Sequence, residues 1–540
     1  MDDLISWIVH ACHIAFLTKL AGHVCSYGGL ADFLFQLQNS VQRRNDKAVA
    51  HLGVLDVWSM QVLSTYGHIR DIPSKPGSVD PTAGFEMSWE LLPQAKGHVA
   101  AIVRAVEEAQ YLVLATDPDR EGEAISWHVV KELQRRKLRA AQLHVERITF
   151  TEVTRTAILD ALKSPRQISP WLVHAYLARR VLDYLVGFTL SPLLWRKLPG
   201  ARSAGRVQSV ALRLVCEREA DIRSFQPVEF WTAEVQLMTR SGLPLRATLA
   251  RLDGKKLGKF DLKDGAAAEA AADLIRSSVF RAGCVESKVT KRNPSAPFIT
   301  STLQTDAANK LGFGTTRTMQ LAQKLYEGVG SGERDLAGLI TYMRTDGVQM
   351  SKDAIATIRK VVKTEFGGDY IPASPRVYKT KAKNAQEAHE AIRPTDPRRR
   401  ASSLPLSINH DMKALYDLIW KRAVASQMSS AGIRQVGLDV NSTDGTITLR
   451  GTGSKVEFPG FRAVYGNGTS DESLAAVAAI QSITEGEEIT VVAVDTIQHF
   501  TMPPGRYTEG ALVQELEAQG IGRPSTYAAI LKVLKVMAAV

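Results

Sequence analysis

Three carboxylates alternate along one short stretch of this chain, Ala115-Thr-Asp-Pro-Asp-Arg-Glu-Gly-Glu-Ala124. Asp117, Asp119 and Glu121 follow an apolar run, Tyr111 to Ala115, that is typical of a buried strand. The carboxylates are therefore predicted to emerge together at the carboxyl end of that strand, where open α/β sheets bind ligands. Mg²⁺ prefers one or two carboxylates with water and substrate phosphate, so the stretch predicts a magnesium site. The alternative is a solvated acidic loop.

A second segment with chemical potential lies far along the chain, Leu339-Ile-Thr-Tyr-Met-Arg-Thr-Asp-Gly347. A phenol that attacks a phosphodiester needs a nearby cation for the negative charge that develops. Tyr342 and Arg344 are two residues apart and meet that need, so they are the candidate catalytic residues. The alternatives are a core tyrosine and a surface arginine.

Taken together, the two segments closely resemble the metal-binding and active-site motifs of type IA DNA topoisomerases, in the bacterial topoisomerase I branch. The resemblance extends from Gln61 to Leu534. It is also carried by these stretches: Thr65-Tyr-Gly-His-Ile-Arg-Asp71, Ala178-Arg-Arg-Val-Leu-Asp-Tyr-Leu-Val-Gly187, Ser203-Ala-Gly-Arg-Val-Gln-Ser209, Pro297-Phe-Ile-Thr-Ser-Thr-Leu303, Ala388-His-Glu-Ala-Ile-Arg-Pro394 and Gly520-Ile-Gly-Arg-Pro-Ser-Thr-Tyr527.

The resemblance implies a multidomain fold with α/β, α and β parts, in which a TOPRIM domain is joined to a toroidal type IA topoisomerase core. The predicted divisions are an unmatched segment 1–61, a TOPRIM-like metal-binding domain 62–166, a helical DNA-binding gate domain 167–226 and 501–540, a β-rich hinge domain 227–301 and 430–500, and a helical domain 302–429 that carries the tyrosine.

The residues themselves favour part of this division. The stretch from Gly97 to Glu108 has helical periodicity and leads into the acidic strand. Alternating strand patterns occur at Phe230 to Leu237 and Leu245 to Leu249, and again at Gln435 to Val440 and Ile447 to Arg450. Because these strand-rich stretches flank a helical insert, we predict one β domain built from discontinuous pieces.

Composition agrees with this scheme. The 540 residues are 45% hydrophobic, so the chain can bury several cores and is not a disordered protein. A net charge of +11 favours a polyanionic partner, although basic proteins often bind no nucleic acid. The apolar stretch Leu4 to Leu20 is short for a membrane span and is interrupted by histidines, so no membrane partner is predicted. The cysteines are too scattered for a zinc site or a disulfide framework, which predicts a reducing, cytoplasmic setting: Cys12, Cys25, Cys216 and Cys284.

The resemblance implies a specific reaction. Tyr342 would attack a backbone phosphorus and form a 5′-phosphotyrosyl bond, leaving a free 3′-hydroxyl. That bond conserves the energy for rejoining, so no ATP is required, and passage of a strand through the break would relax negative supercoils. The implied cofactor is Mg²⁺, and the implied partner is single-stranded DNA within negatively supercoiled duplex. A monomeric, nucleoid-associated enzyme is expected.

Matching motifs also imply a set of DNA-binding residues. They are His68, Arg147, Thr151, Glu152, Arg155, Arg179, Asp183, Ser203, Ala204, Gly205, Arg206, Val207, Gln208 and His389. Arg179 and Asp183 are equally compatible with a plain i,i+4 ion pair. For His68, the alternative to DNA contact is a purely structural role. His389 is expected to face the acidic cluster.

The chain departs from the family pattern near its start. Family members begin with a strand and a Glu-Ser-Pro-Ala-Lys-like segment that supplies an acid and a lysine to the site, whereas no glutamate precedes Glu86 here. We therefore expect the TOPRIM sheet to lack a strand, and the protein to bind single-stranded DNA while relaxing supercoils feebly or not at all. The family pattern continues beyond Leu534 into more of the gate domain and often into zinc ribbons, so reduced processivity is also expected.

Other functions stay open on sequence grounds. A topoisomerase III-like decatenase is compatible with the zinc-poor tail, although the wording of the motifs favours topoisomerase I. A DNA-binding remnant that binds single strands without cutting them is the alternative from another class. A TOPRIM nuclease or primase would explain the acidic stretch but would give Tyr342 no role.

Overall fold

The computed structural model describes residues 13–19, 59–65, 67–136, 143–152, 155–198, 203–328, 338–379, 390–405, 408–466 and 471–538. The first unit contains strands β1 (His13–Lys19), β2 (Ser59–Ser64), β3 (Arg70–Asp71), β4 (Val79–Asp80), β5 (Glu86–Met87), β6 (Glu90–Leu91), β7 (Tyr111–Thr116) and β8 (His144–Arg147), with helices α1 (Lys96–Glu108), α2 (Arg120–Arg135) and α3 (Arg155–Lys163). Its main sheet has the order β2-β1-β7-β8, and β7 and β8 are parallel.

Strand β1 contradicts the expectation that this sheet lacks a strand. It lies between β2 and β7 and is antiparallel to both, so that Leu17 is paired with Gln61 on one side and with Leu112 on the other. The unmatched start of the chain thus supplies a strand of its own to the sheet.

Helix α1 confirms the helical periodicity predicted ahead of the acidic strand. It buries Val99, Ile102 and Val106, whose spacing places them on one face. These side chains pack with the buried Leu112 and Leu114 of β7. The same core therefore fixes the strand from which the acidic stretch emerges.

Two long helices follow, α4 (Pro170–Lys197) and α5 (Gln208–Ser224), within the stretch 167–226 for which the resemblance implies a helical domain. Proline occupies the first turn of α4, where its missing N–H is no loss. Strand β9 (Glu229–Met238) begins soon after α5 ends.

A seven-stranded sheet is assembled from two separate parts of the chain. The first part contains β9, β10 (Pro244–Leu252), β11 (Lys255–Lys256), helix α6 (Gly265–Ser277) and β12 (Phe280–Arg292). The inserted helices are α7 (Thr300–Leu311), α8 (Thr315–Glu327), α9 (Lys352–Phe366) and α10 (His410–Ser426), and the second part contains β13 (Ala431–Ser442), β14 (Ile447–Phe458), α11 (Asp471–Ser482) and β15 (Glu488–Phe500). The order β11-β10-β14-β13-β12-β15-β9, with an extra β10–β9 pairing, confirms one β domain from discontinuous pieces.

The inserted helices, with the segments between them, form what we call the tyrosine block, residues 300–426. Its core is built around Trp420, Tyr416 and Leu325. Ala115 of β7 and Ile148, just after β8, belong to the same core. The tyrosine block therefore packs directly on the edge of the first unit that carries the carboxylates.

Two last helices, α12 (Glu509–Gln519) and α13 (Tyr527–Ala538), return to α5 and pack on Ala211. Helix α12 also contacts the tyrosine block: Ser301 Oγ donates to Glu517 at 2.6 Å, and Thr315 N donates to Glu509 at 2.8 Å. A Cβ on Gly510 would lie 2.9 Å from Thr305 Cα, so only glycine permits this approach. These contacts close a ring of units. No helix within the described ranges has the length and apolar character needed to cross a membrane.

Candidate active site

The acidic stretch forms the turn between β7 and α2. Asp119 is the N-cap of α2, and its carboxylate accepts a hydrogen bond from Gly122 N at 2.8 Å. Position 122 requires glycine, because a Cβ there would lie 2.1 Å from the Asp117 carbonyl oxygen. Asp117 is itself buried. The tight turn thus brings two carboxylates together at the carboxyl end of β7, as the sequence predicts.

Tyr342 lies against this turn. Its side chain is 1% exposed, and its hydroxyl donates to Asp119 Oδ2 at 2.8 Å. Its backbone N–H donates to the Thr151 carbonyl oxygen at 2.7 Å. The guanidinium of Arg344 lies 3.9 Å from Asp119 Oδ2. The two segments that the sequence analysis singled out, far apart in the chain, therefore meet in one site.

Hydrogen bonds to the backbone of the tyrosine segment hold it in place on both sides of Tyr342. Thr341 N donates to the Arg393 carbonyl oxygen at 2.9 Å. Thr300 Oγ1, at the start of α7, donates to the Met343 carbonyl oxygen at 2.7 Å. Because the bonds flank Tyr342 on both sides, its Cα position is fixed independently of what its hydroxyl contacts.

Burial and like charge dominate the electrostatics of the site. Burial raises the pKa of Tyr342 well above its ordinary value, and the carboxylates of Asp119 and Asp117 raise it further. Burial, with the neighbouring Asp119, raises the pKa of Asp117 to about 7. Burial also raises the pKa of Glu327 to about 7. The phenol is therefore protonated at neutral pH, and the acidic pair carries more negative charge than the site readily accommodates.

The third predicted metal ligand points elsewhere. Glu121, in the first turn of α2, accepts from Arg179 at 3.2 Å and lies 3.1 Å from His68 Nε2. Within the described residues, no three His, Cys, Asp or Glu side chains are arranged to hold a metal ion. The predicted cluster of three is thus divided into a pair and a separate glutamate. Asp117 and Asp119 are the two carboxylates of this turn that could hold a divalent cation, because one or two carboxylates suffice when substrate phosphate completes its shell.

Arg147 departs from its predicted role in DNA binding. Its side chain is fully buried and forms an ion pair with Glu123 at 2.6 Å. Its guanidinium also donates to the Asp117 carbonyl oxygen at 2.7 Å and to Thr116 Oγ1. Glu123 accepts a further bond from Arg166 at 2.8 Å. In this conformation Arg147 has no surface to offer DNA, and it supports the turn that holds Asp117.

The predicted DNA-binding residues around α4 form a connected group. Arg179 and Asp183 make the i,i+4 ion pair at 3.6 Å, and Arg206 also contacts Asp183, at 3.0 Å. The His68 ring stacks on Tyr176 with a 5.4 Å centroid separation. These side chains link the first unit to α4 next to Glu121.

The turn before α5 and the stretch after β8 hold most of the others. Gln208 Nε2 donates to the Ser203 carbonyl oxygen at 3.4 Å, and Ala204 N donates to Ser191 Oγ at 3.0 Å. Gly205 precedes Arg206, and Val207 is the N-cap of α5. Thr151 accepts from Tyr342 as described, and Glu152 accepts from Arg393 at 3.0 Å. Arg155 is the first residue of α3, and its side chain, like the whole of His389, lies outside the described residues.

Two side chains of the site were not singled out from the sequence. Arg393 is buried and bridges Glu152 and Glu390, with 2.7 Å to the latter. Tyr326 is buried with its ring centroid 5.3 Å from that of Tyr342. Arg393 belongs to a stretch that carries the family resemblance, which is a usable signal. Tyr326 occupies an apolar position of α8, and its pattern there indicates only a core residue.

The raised pKa of Asp117 predicts a pH-dependent stability difference. A carboxyl group with a folded pKa near 7 contributes stability while it is protonated, and that contribution is lost as pH rises from about 4 to about 7. Asp117→Asn stays neutral throughout. Without divalent cation at pH 8, we expect the variant to be more stable than the parent by roughly 2–4 kcal/mol, and nearly equal at pH 4. Thermal unfolding in EDTA at both pH values measures this difference.

Asp273→Asn is the matched control, since Asp273 forms an exposed ion pair with Arg276 on α6. It should show no gain at pH 8. Adding Mg²⁺ at pH 8 should narrow the difference between parent and Asp117→Asn, because a bound cation offsets the same repulsion. Equal stability of parent and Asp117→Asn at pH 8 in EDTA would contradict the assignment of charge at Asp117.

Comparisons with known proteins agree with the fold. Residues 167–537 match the family model described as DNA topoisomerase, and residues 45–153 match the Toprim domain, a metal-binding type of domain. The Toprim match begins upstream of Gln61, where the motif resemblance begins.

Similar proteins with assigned names span a greater length than this chain. DNA topoisomerase 1 of Zymomonas mobilis is 50% identical over 481 residues, which is 88% of this chain and 38% of that protein. DNA topoisomerase 1 of Rickettsia bellii is 46% identical over 475 residues, which is 88% of this chain and 59% of that protein. The chain thus spans less than two thirds of the length of these relatives.

A solved structure shows the same architecture. Full-length topoisomerase I from Thermotoga maritima superposes with a TM-score of 0.72 at 35% sequence identity, covering 87% of this chain and 74% of that chain. The family match extends over more than half of the residues and includes both Tyr342 and the β domain that surrounds the tyrosine block. The chain belongs to the bacterial DNA topoisomerase family, in its type IA, topoisomerase I branch.

Proposed function

We propose that this chain cleaves one DNA strand through a 5′-phosphotyrosine bond at Tyr342, passes a strand through the break and religates it, relaxing negative supercoils without ATP. The single observation that carries the proposal is the 2.8 Å hydrogen bond from the Tyr342 hydroxyl to Asp119, with Arg344 beside the same carboxylate. A nucleophile, a proton acceptor and a cation for the phosphate thus occupy one pocket.

The chemistry balances as a transesterification. The Tyr342 oxygen forms a bond to phosphorus while the bond from phosphorus to the 3′-oxygen breaks. Because the phenol is protonated at neutral pH, its proton must leave during attack, and Asp119 already accepts that hydrogen bond. The leaving 3′-oxygen takes a proton from solvent water and departs as a hydroxyl. Religation reverses each of these steps.

The metal-binding role of the site falls to Asp117 and Asp119. Mg²⁺ is the cation that this pair fits, and when bound it supplies positive charge that aligns the phosphate. Burial, together with the neighbouring Asp119 carboxylate, raises the pKa of Asp117, so the ionised pair is costly to hold in this site. A cation therefore relieves an electrostatic cost that the protein alone leaves in place.

The proposed substrate is single-stranded DNA in underwound duplex. Tyr342 is buried where the first unit meets the tyrosine block, so a strand reaches it only when these units separate. Arg179 on α4 and Arg206 before α5 are partly exposed cations paired with Glu121 and Asp183, and we propose that they also bind the DNA backbone. We propose that the protein acts as a monomer on nucleoid DNA in the cytoplasm.

A relaxation assay and adduct trapping test the proposal together. In one reaction, negatively supercoiled plasmid is incubated with the protein and Mg²⁺. In a second reaction, the protein is incubated with a labelled single-stranded oligonucleotide and then denatured with detergent, which traps a covalent complex. We expect the covalent adduct, with relaxed topoisomers in low yield. Oligonucleotide binding with neither product indicates a non-cleaving single-strand binder, and decatenation in preference to relaxation indicates a topoisomerase III-like activity.

A further inference from the structure

We propose that Tyr326 is a positioning residue for the nucleophile: its ring fixes the direction of the Tyr342 phenol, and its hydroxyl takes part in no chemical step. This inference rests on the function proposed above for Tyr342. The two rings are adjacent, with centroids 5.3 Å apart and planes at 65°. That edge-on arrangement is the one aromatic pairs prefer, and it contributes directional packing beyond simple burial.

The backbone around Tyr326 is tied to the tyrosine segment. Tyr326 lies in the last turn of α8, and Leu325 in the same turn accepts a hydrogen bond from Leu339 N at 2.7 Å. Leu339 in turn accepts from Thr395 N at 3.0 Å. The ring contact is therefore made between two backbone segments that are already held in register.

The start of α8 is fixed as well. Its first residue, Thr315, donates through both its N–H and its hydroxyl to Glu509 of α12, at 2.8 and 2.9 Å. Leu321 and Leu325 along the helix are buried in the core of the tyrosine block. A helix fixed at its start, middle and end presents the Tyr326 ring at a constant place.

The hydroxyl of Tyr326 has no basic character to offer. The residue is 3% exposed, and burial raises its pKa well above the ordinary value. The carboxylates of Asp117, Asp119 and Glu152 raise it further. A phenol that stays protonated across the working range cannot take the proton of Tyr342, so the ring is the part of Tyr326 that can act on the nucleophile.

Separation of the units shows why a second anchor matters. The Tyr342 hydroxyl is oriented by the hydrogen bond that it donates to Asp119, which lies in the first unit. Tyr326 and Tyr342 both belong to the tyrosine block. When the block moves away from the first unit, the bond to Asp119 is lost but the ring contact is retained. Tyr326 thus keeps the phenol, or the phosphotyrosine, pointed outward for return.

Three variants separate the ring from the hydroxyl and from general packing. Tyr326→Phe keeps the ring contact, and Tyr326→Leu removes it. Tyr416→Leu is the control, because Tyr416 is another buried tyrosine of the same core whose hydroxyl donates to the Arg399 carbonyl oxygen instead of facing the carboxylates. Single-turnover cleavage of a labelled oligonucleotide and affinity for an uncleavable one are measured for each.

We expect Tyr326→Leu to lower the cleavage rate by about tenfold to a hundredfold with unchanged affinity, since small misplacement of a reacting group costs that much. Tyr326→Phe should stay within roughly twofold of the parent because the contact is intact. Cleavage by Tyr326→Leu at the parental rate would overturn the proposal. An equal loss of cleavage rate in Tyr326→Phe would also overturn it, because the effect would then belong to the hydroxyl. An equal loss in Tyr416→Leu would overturn it as well, because the effect would then belong to general packing.

A spectroscopic measurement keeps this inference separate from the proposed function. If the parent chain forms no adduct, the function fails, yet the orientation of Tyr342 is still readable by fluorine NMR of protein labelled with 3-fluorotyrosine. The Tyr342 signal is assigned by its loss in Tyr342→Phe. We expect that signal to be unchanged in Tyr326→Phe and to move toward that of free tyrosine in Tyr326→Leu. A Tyr342 fluorine signal that is unchanged in Tyr326→Leu would overturn the positioning role.

Discussion

Tyr342→Phe should abolish the covalent DNA adduct while single-stranded DNA binding is retained. The substitution deletes only the attacking oxygen, since the ring, its contact with Tyr326 and the backbone bond to Thr151 all remain. Loss of a covalent nucleophile typically costs four to six orders of magnitude, so the expectation is a rate reduced by roughly 10⁴ or more. Detergent trapping of a labelled oligonucleotide measures the adduct, and fluorescence anisotropy measures binding.

Tyr416→Phe serves as the matched control for this experiment. It deletes the same atom from a buried tyrosine of the same core and removes one hydrogen bond, to Arg399. Its adduct yield should equal that of the parent. An adduct that persists in Tyr342→Phe would assign the nucleophile to another residue, and Tyr326 would be the first to examine.

The second large effect is expected for the carboxylate pair. Asp117→Asn combined with Asp119→Asn, or excess EDTA with the parent, should suppress religation and relaxation by about a hundredfold or more, because the charge that aligns the phosphate is lost. Binding of single-stranded DNA should change far less, since phosphate contacts elsewhere supply most of the affinity. Asparagine is also a good N-cap, so the start of α2 survives the change at position 119.

Asp273→Asn with Asp495→Asn provides the control for two lost carboxylates, because both side chains lie exposed in the β domain. That variant should relax plasmid at the parental rate. Religation is followed by adding salt to a preformed cleavage complex and measuring the rejoined strand. Relaxation that continues unchanged in excess chelator would remove the metal from the proposed function.

Local patterns predicted the framework of the site well. The apolar run ending at Ala115 is a strand, Tyr111–Thr116, and the helical pattern before it is a helix, Lys96–Glu108. Alternation in the β domain correctly predicted that its two parts form one sheet. These predictions succeed because burial on one face imposes a period that tertiary contacts then reinforce.

Glu121 and Arg147 lie apart from the predicted arrangement for a common reason, which is that their environment depends on residues distant in the chain. Glu121 was expected to continue the alternation of Asp117 and Asp119, but α2 begins at Arg120. Two residues along a helix rotate a side chain by about 200°, so Glu121 turns toward Arg179. Arginine is a residue type that commonly contacts DNA, so the sequence favours that role for Arg147. Only the buried ion pair with Glu123 shows that its side chain lies in the interior.

The expectation of feeble relaxation stays a prediction, and the relaxation assay described above tests it. It depends on the acid and lysine that the family pattern places near the start, for which the sequence here shows no match. Strand β1 occupies a position in the sheet, but strand pairing alone supplies neither the acid nor the lysine. Robust relaxation by the unmodified chain would show that other residues provide them.

The way in which the tyrosine block joins the β domain has a mechanical consequence. The chain leaves the sheet at Arg292 and re-enters it at Ala431, and these two residues are paired across neighbouring antiparallel strands. The two chain connections between the block and the sheet therefore lie side by side. Two adjacent connections keep the tyrosine block from sliding along the sheet and permit it to rotate about the place where they meet. A displaced Tyr342 would therefore travel along an arc and come back to the same position, so that a DNA end attached to it would remain in register with its partner.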